Sequence, residues 1–302
     1  MKEKILVAGG TGFIGYHILK KLNLNKYNLF SISTKKPVLS MKVKNVKYIV
    51  CDVTKKNFFS KKINKNFDHI INLSGNINHK EKIKTMKSHY EGCVNLVNFF
   101  KKKKIKTFIQ IGSSLEYGKI LSPQKESTKC IPQSNYGLAK YRSTKYVCET
   151  GKIDKFPYVV LRLYQIYGPN QKQNRLIPNV ITSCLNNKKF SCTDGNQIRD
   201  FMHINDLTSL IKKILKSKIR KKIYNVGSGK PIKVKKVINK IKSLIGKGDP
   251  EFGSIKMRKD EIKVSFPYLR KIKKTLNWKP LINLEAGLNN TILFYKKNNF
   301  NI

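Results

Sequence analysis

The amino-acid sequence predicts an α/β fold built on a doubly wound parallel sheet, with a smaller, partly interleaved C-terminal α/β domain. Apolar runs of strand length recur along the first half of the chain, and segments with apolar residues at helical spacing lie between most of them. A glycine-rich segment joins the first strand to the first helix. Strands that alternate with helices favour parallel pairing. The 302 residues suffice for one compound domain or two joined ones with a substantial core.

The first strand, Ile5–Ala8, leads directly into a glycine-rich turn and a helical pattern that ends near Leu22. Glycines permit a tight turn, let the backbone approach a pyrophosphate, and bring the helix against the strand. The helix N-terminus offers free N–H groups to phosphates. The turn therefore predicts a Rossmann-type dinucleotide site, although a glycine-rich turn of another α/β protein would look similar. The residues expected to bind the cofactor here are Gly9, Gly12, Phe13, Ile14 and Gly15.

The remaining elements follow from hydrophobic patterning. Strands are predicted at Leu29–Ser33, Tyr48–Cys51, His69–Leu73, Thr107–Ile111, Tyr158–Leu163 and Ile223–Val226. Helices are predicted at Met86–Lys101, Asn135–Thr150 (ended by Gly151), Ile177–Leu185, Asp206–Leu215, Pro231–Leu244 and Leu284–Tyr295. We assign residues 1–168 to a dinucleotide-binding domain to which a segment near 192–227 returns. Residues 169–191 and 228–302 form the expected substrate domain.

The net charge of +46 raises the question of a nucleic-acid partner. However, 56 of the 63 basic residues are lysine, spread over the whole chain. Nucleic-acid readers usually concentrate charge on one face and rely on arginine for bidentate contacts. We therefore expect no nucleic-acid partner, and a general attraction for anionic ligands.

The cysteines and the apolar segments bear on metal sites, membranes and compartment. The six cysteines form no C-x-x-C pair and no Cys/His ligand spacing, so we expect no metal site and a reducing, cytoplasmic environment. No stretch approaches eighteen apolar residues, so no membrane association is expected.

From the glycine turn onward, a series of short motifs runs almost end to end in a fixed order. They are Cys51-Asp52-Val53, Asn72-Leu73-Ser74-Gly75, Gly112-Ser113-Ser114-Leu115-Glu116-Tyr117-Gly118, Tyr136-Gly137-Leu138-Ala139-Lys140, Leu161–Pro169, Leu176-Ile177-Pro178, Asp194–Phe201, Tyr224–Gly227 and Leu276–Pro280. In this order they resemble the extended short-chain dehydrogenase/reductase family, which includes nucleotide-sugar epimerases, dehydratases and reductases. The resemblance implies an NAD(P)-dependent enzyme that acts on a nucleotide diphosphate sugar.

The resemblance places the catalytic hydroxyl at Ser113 and the Tyr-x-x-x-Lys pair at Tyr136 and Lys140. The same spacing also begins at Tyr16 and Tyr141, but neither has the family's flanking residues. A spacing of four puts Tyr136 and Lys140 on one helix face. A nearby ammonium would lower the pKa of a tyrosine, which is ordinarily near 10, and so prepare it for proton transfer. The resemblance adds cofactor contacts at Asp52, Val53, Leu73, Ser74, Gly75, Tyr164 and Ile166.

The cofactor type depends on the end of the second strand. Enzymes that use NAD carry an acidic side chain there for the adenosine ribose. Here the position falls on Ser33, followed by Thr34 and Lys35, and hydroxyls with lysines suit a 2′-phosphate. NADP(H) is therefore favoured, and NAD(H) stays possible.

The reaction type is narrowed by the residues after Ser113. Dehydratases of the family carry an Asp-Glu dyad at the positions of Ser114 and Leu115, and Glu116 would point to the opposite side. Reduction of a 4-keto sugar nucleotide is favoured. The alternatives are a 4-epimerase that retains NAD and a cofactor-binding protein without activity. The resemblance places substrate contacts at Ser114, Arg175, Leu176, Arg199, Arg258 and Glu261.

Two further expectations come from the resemblance. Met86–Lys101 and Asn135–Thr150 match the helices that form a four-helix interface in relatives, so a homodimer is expected. His89 stands where most relatives have an asparagine, which could alter a proton or water relay.

Overall fold

A computed structural model describes residues 2–22, 26–56, 61–63, 65–76, 81–257 and 261–298. The chain divides into two compact units. The first comprises Met1–Ile120, Glu126–Leu163 and Thr208–Asn225, and the second comprises Leu121–Lys125, Tyr164–Leu207 and Val226–Ile302.

The first unit is built on a seven-stranded sheet. Its strands are β1 (Glu3–Ala8), β2 (Tyr27–Ser33), β3 (Val46–Val50), β4 (His69–Asn72), β5 (Thr107–Ser113), β6 (Tyr158–Leu163) and β10 (Lys222–Val226). They lie in the order β10-β6-β5-β4-β1-β2-β3. The pairs from β3 through β6 are parallel. The predicted doubly wound fold is confirmed, and the order reverses direction between β1 and β4, where such sheets bind ligands.

The helices of this unit are short, except for one long helix. They are α1 (Phe13–Leu22), α2 (Lys82–Met86), α3 (Gly92–Phe100), α4 (Asn135–Ile153) and α6 (Ile204–Lys216). A π-helical turn, Lys87–Glu91, joins α2 to α3. The apolar faces of α3 and α4 cover the sheet, where Leu96, Phe100 and Val147 pack with strand residues such as Ile70 and Phe108. Each fully buried side chain of this size contributes about 1.5–3 kcal/mol.

The strand registers place the candidate site residues at one edge of the sheet. Ala8 lies opposite Ile32 on one side and Asn72 on the other. The glycine turn, Ser33 and Leu73 therefore follow their strands at the same carboxyl edge. Ser113 ends β5 at this edge as well.

The second unit contains short strands around a small helical core. Its strands are β7 (Gln165–Tyr167), β8 (Lys189–Cys192), β9 (Ile198–His203), β11 (Pro231–Lys233), β12 (Asp249–Phe252) and β13 (Val264–Ser265), and its helices are α5 (Leu176–Leu185), α7 (Val234–Ile245), α8 (Arg270–Leu276) and α9 (Leu284–Lys297). The strand β9 pairs with β7, β11 and β13. Side chains of α5, α7 and α9, among them Ile181, Ile238 and Leu288, form the core.

Three sequence-based boundaries were wrong. Gly151 does not end α4, which continues to Ile153; a Cβ at Gly151 would overlap the Tyr158 ring, so this glycine serves close packing. Residues Pro231–Lys233 form a strand on β9 before α7 begins. The helix expected at Met86–Lys101 is interrupted by the π-helical turn.

Within the described residues, none of the helices has both the length and the apolar character that crossing a bilayer requires.

Candidate active site

The glycine turn has the geometry that its sequence predicts. Gly9 has a φ of 84°, a left-handed conformation that favours glycine, and its carbonyl accepts a hydrogen bond from the Gly12 N–H (3.1 Å). A Cβ at Gly15 would overlap the Gly9 carbonyl oxygen, so α1 can pack this closely against the turn only with glycine. At Gly12 a Cβ would meet only that carbonyl oxygen, at 3.4 Å. The side of Gly12 at the start of α1 is therefore open to a pyrophosphate.

The end of β2 carries hydroxyls and lysines. The Ser33 Oγ lies beside the glycine turn, where it accepts a long hydrogen bond from the Thr11 N–H (3.4 Å) and donates to the Ile32 carbonyl (2.7 Å). Thr34 and Lys35 are exposed. From Ser31 to Lys36 there is no carboxylate to accept hydrogen bonds from ribose hydroxyls.

Asp52 and Val53 follow β3 in a tight turn. One Asp52 carboxylate oxygen accepts hydrogen bonds from the Thr54 N–H (2.9 Å) and hydroxyl (2.8 Å). Val53 is buried, and its carbonyl accepts a hydrogen bond from Asn95 of α3.

The side-chain amides of Asn72 and Gln110 are buried next to the loop that follows β4. Asn72 accepts hydrogen bonds from the Ser74 hydroxyl and N–H, and its own amide donates to Gln110 Oε1 (2.8 Å). Gln110 in turn donates to the Ile111 carbonyl (3.1 Å). These contacts fix the segment Leu73-Ser74-Gly75, in which Gly75 has a φ of 155°. The roles of Asn72 and Gln110 were missed in the sequence, although a polar residue inside an apolar strand was the available signal.

Ser113 lies where β5 becomes a single 3₁₀ turn, Ser114–Glu116. The Ser113 Oγ accepts a hydrogen bond from the Leu115 N–H (3.2 Å), and Glu116 Oε1 accepts one from the Ser113 N–H (2.9 Å). This reciprocal capping box holds the serine in place. Ser114 is buried at the start of the turn.

Glu116 ends the 3₁₀ turn rather than continuing a strand, and its carboxylate is directed to Arg162 of β6. Its side chain is fully buried and forms an ion pair with Arg162 of β6 (Nε to Oε2, 2.8 Å). Arg162 also donates to the Tyr117 hydroxyl (2.9 Å), which donates to Asn225 Oδ1 (2.8 Å). Glu126 accepts a hydrogen bond from the Asn225 N–H. This polar cluster satisfies its members within the unit.

Tyr136 and Lys140 lie on one face of α4, which begins at the N-cap Ser134. A Cβ at Gly137 would overlap the Leu115 carbonyl oxygen, so this glycine brings the helix against the turn after Ser113. The Lys140 Nζ lies 5.7 Å from the centre of the Tyr136 ring and donates to the Ile111 carbonyl (2.9 Å). Lys140 is buried whereas Tyr136 is partly exposed.

Burial lowers the pKa of Lys140 to about 8, although the Glu116 carboxylate acts in the opposite direction. The ammonium therefore lies in a poorly solvated position with the Ile111 carbonyl as its acceptor. Such a perturbed lysine beside a tyrosine and at a strand edge is typical of a catalytic centre.

The remaining predicted residues lie in the second unit. Tyr164 is buried and donates to Gln124 Oε1 (2.7 Å), and Ile166 lies on β7. Arg175 and Leu176 lie at the exposed start of α5.

Arg199 lies on β9 and is only 8% exposed. Its guanidinium forms an ion pair with Glu261 and donates to the Ile198 carbonyl (2.8 Å). The structure therefore brings Arg199 and Glu261 together. Arg258 lies outside the described residues.

Most of the chain matches a known protein family. The family model described as "NAD dependent epimerase/dehydratase family" matches residues 5–227. The chain belongs to this family.

Individual members of the family are similar over nearly the whole chain. CDP-abequose synthase of Salmonella typhimurium is 27% identical, with 95% of this chain and 97% of that protein covered. The dTDP-glucose 4,6-dehydratase of Bacillus anthracis, solved in complex with NAD, is 25% identical with a TM-score of 0.89, covering 98% of this chain and 97% of the other. A UDP-glucose 4-epimerase of Thermotoga maritima, solved with UDP-glucose, has the same fold, with a TM-score of 0.90 at 24% identity over 98% and 99% of the two chains.

Proposed function

We propose that this protein is an NAD(P)(H)-dependent nucleotide-sugar oxidoreductase that reduces a 4-keto sugar nucleotide. The observation that carries this proposal is the arrangement of Lys140 and Tyr136 beside Ser113. Lys140 is buried below the Tyr136 ring and bonded to the carbonyl of Ile111, two residues before Ser113 on the same strand. This is the side-chain set that hydride transfer to a carbonyl needs.

The residues of the first unit fit a nicotinamide dinucleotide. The open side of Gly12 and the free N–H groups of α1 would hold the pyrophosphate, and Lys140 would donate to ribose hydroxyls. Leu73, Ser74 and Gly75 would line the same edge of the sheet. When bound, the cofactor supplies the hydride.

Each catalytic side chain has one task in the reduction. The Tyr136 hydroxyl gives its proton to the sugar's carbonyl oxygen as hydride reaches the carbon. The Lys140 ammonium stabilises the tyrosinate that is left. The Ser113 Oγ accepts from the Leu115 N–H and can still donate its own O–H, which would orient and polarise the same carbonyl oxygen.

The position of Glu116 argues against dehydration as the reaction. A dehydratase needs an acid and a base beside the catalytic hydroxyl, but Leu115 cannot transfer a proton. The Glu116 carboxylate is buried in its ion pair with Arg162 and has no route to a substrate. Oxidoreduction without loss of water is the chemistry that remains.

NADP(H) is the cofactor that we propose, because no carboxylate stands at the end of β2. Ser33 and Thr34 can donate to a 2′-phosphate, and Lys35 supplies a positive charge. The relative solved with NAD makes NAD(H) the alternative.

The substrate that we propose is a nucleotide diphosphate sugar. Arg199 and Arg258 would bind the diphosphate, Arg175 and Leu176 would flank the nucleotide, and Glu261 would accept from ribose hydroxyls. Ser114 would contact the sugar. In this assignment residues 1–168 form the cofactor domain, to which a segment near 192–227 returns, and residues 169–191 and 228–302 form the substrate domain, with Ser114 and Arg199 contributing to the substrate from outside it. The +46 net charge favours anionic ligands generally. Nucleic acid is not part of the proposal.

A 4-epimerase is the second candidate, since the same three side chains serve it and the family description includes epimerases. The choice between reductase and 4-epimerase is tested by incubating the protein with a panel of UDP-, GDP-, dTDP- and CDP-linked 4-keto sugars. The absorbance of NADPH is measured during each reaction. A reductase consumes one NADPH per sugar reduced. Epimerisation with no net change of cofactor would select the alternative, and stoichiometric cofactor binding without turnover on any sugar would indicate a protein without activity.

We also propose a homodimer through residues 86–101 and 135–150. Sedimentation at micromolar concentration tests this directly, and a strict monomer would contradict it.

A further inference from the structure

His89 lies at the centre of the π-helical turn Lys87–Glu91, which joins helix α2 to helix α3. A π-helical turn inserts one residue into a helix and often marks a functional position. This turn rotates the buried His89 side chain towards two parts of the candidate active site. The imidazole contacts both the catalytic helix α4 and the loop that follows β4.

The contacts with α4 involve both the ring and the backbone of His89. The imidazole meets the Tyr136 ring edge to face, with 5.0 Å between the ring centres and 80° between the planes. The His89 carbonyl accepts a hydrogen bond from the Ser143 hydroxyl of α4 (2.9 Å). The histidine is thus fixed to the helix at one point and restrains the Tyr136 ring at another.

The contacts with the loop involve Gly75 and Asn76. The His89 Nε2 lies 3.0 Å from the Asn76 carbonyl oxygen, which makes this nitrogen the donor. The neighbouring Ser88 Oγ accepts from the Asn76 N–H (3.0 Å). A Cβ at Gly75 would overlap the imidazole, so only glycine lets the ring sit this close. The π-helical turn therefore holds both backbone polar groups of Asn76.

We propose that His89 is a positioning residue that holds Tyr136 and the loop at residues 73–76 in one arrangement. This rests on the proposed function, in which Tyr136 transfers a proton and the loop lines the cofactor. The ring edge limits the orientations of Tyr136, and the Nε2–H bond fixes the loop. An asparagine at this position is too short to make both contacts.

Three variants separate the two contacts. His89→Phe keeps a ring edge against Tyr136 but cannot donate to Asn76. Ser88→Ala removes the other bond to Asn76 and leaves the imidazole in place. His89→Gln can donate through its amide but has no ring. Phe100→Leu, in the apolar core of α3, is the control for a general loss of stability.

The contact between His89 and the loop is tested by measuring amide hydrogen exchange at residues 73–76 in the ligand-free protein. Exchange is about tenfold faster in His89→Phe and Ser88→Ala, and unchanged in His89→Gln and Phe100→Leu. The Kd values for NAD⁺ and NADPH, measured by calorimetry, rise by about tenfold in the same two variants. Unchanged exchange in His89→Phe, or equally fast exchange in Phe100→Leu, overturns the proposal.

The contact between His89 and Tyr136 is tested by measuring the rate of turnover of the nucleotide sugar that the wild-type protein accepts as substrate. His89→Gln lowers kcat about three- to tenfold at an unchanged KM, whereas Phe100→Leu keeps the wild-type kcat. A kcat within twofold of wild type in His89→Gln overturns the coupling to Tyr136. A wild-type protein that binds neither dinucleotide contradicts the proposed function instead, and the exchange experiment still decides the role of His89.

Discussion

The buried ion pair between Glu116 and Arg162 leads to a quantitative prediction about stability. The two side chains are 0% and 4% exposed, and the Nε–Oε2 distance is 2.8 Å. Replacing Arg162 with methionine keeps most of the volume but leaves the Glu116 carboxylate buried without its counter-charge. Removal of one partner from such a pair costs about 3–5 kcal/mol. We expect Arg162→Met to lower the free energy of unfolding by this amount.

A double variant tests the reasoning behind that number. In Glu116→Gln/Arg162→Met the amide oxygen can still accept from the Ser113 N–H, and neither of the two side chains carries a charge. The double variant should therefore regain at least about 2 kcal/mol relative to Arg162→Met.

Urea unfolding followed by far-UV circular dichroism measures each step. The matched control is Lys101→Met, which breaks the partly exposed pair with Asp154 (3.0 Å) and should cost less than about 1 kcal/mol. Additive losses in the double variant, or equal losses for Arg162→Met and Lys101→Met, would refute the account of Glu116 as a buried structural carboxylate.

Three further predictions concern charge and binding. Arg199→Ala should raise the KM for a nucleotide sugar about tenfold to hundredfold with little change in kcat, because the diphosphate does not react. Arg199→Lys should restore only part of the substrate affinity. Steady-state kinetics that show a lost kcat at a normal KM would contradict a role of Arg199 in diphosphate binding. Ser33→Asp should shift the ratio of Kd values, measured by calorimetry, from NADPH towards NADH, and a wild-type protein that binds NADH more tightly would contradict the cofactor preference. Because burial lowers the pKa of Lys140 from 10.5 to about 8, the unfolded state binds more protons between these values. The free energy of unfolding should therefore rise by about 3 kcal/mol from pH 8 to 10.5 relative to Lys140→Met, and parallel pH profiles would contradict the shift.

The fold of the first unit could be predicted from the sequence, because strands that are buried on both faces appear as continuous apolar runs. The glycine turn could be placed by local spacing, whereas Lys140 was placed by the order of the surrounding motifs, because the same tyrosine–lysine spacing also begins at Tyr16 and Tyr141. The second unit was harder, because strands such as β12 and β13 are short and carry few apolar residues. Pro231 also suits the first turn of a helix, so local chemistry did not reveal its pairing with β9.

The missed features of the site depend on contacts between distant residues. The π-helical turn keeps helical spacing on either side of His89 and is held by Ser143, 54 residues later. The Glu116–Arg162 pair spans 46 residues. Neither the 3₁₀ turn that carries Glu116 nor its pairing with Arg162 could be predicted from the strand pattern.

The comparison of Tyr136→Phe with Tyr141→Phe decides whether Tyr136 is the residue that transfers the proton. Both changes remove one hydroxyl from the same helix, and both tyrosines precede a lysine by four residues. Turnover of a nucleotide sugar and the Kd for NADPH are measured for each variant. We expect Tyr136→Phe to abolish turnover and to leave cofactor binding nearly intact. Tyr141→Phe should keep the wild-type rate of turnover. Full activity in Tyr136→Phe, or loss of activity in Tyr141→Phe alone, would contradict this expectation.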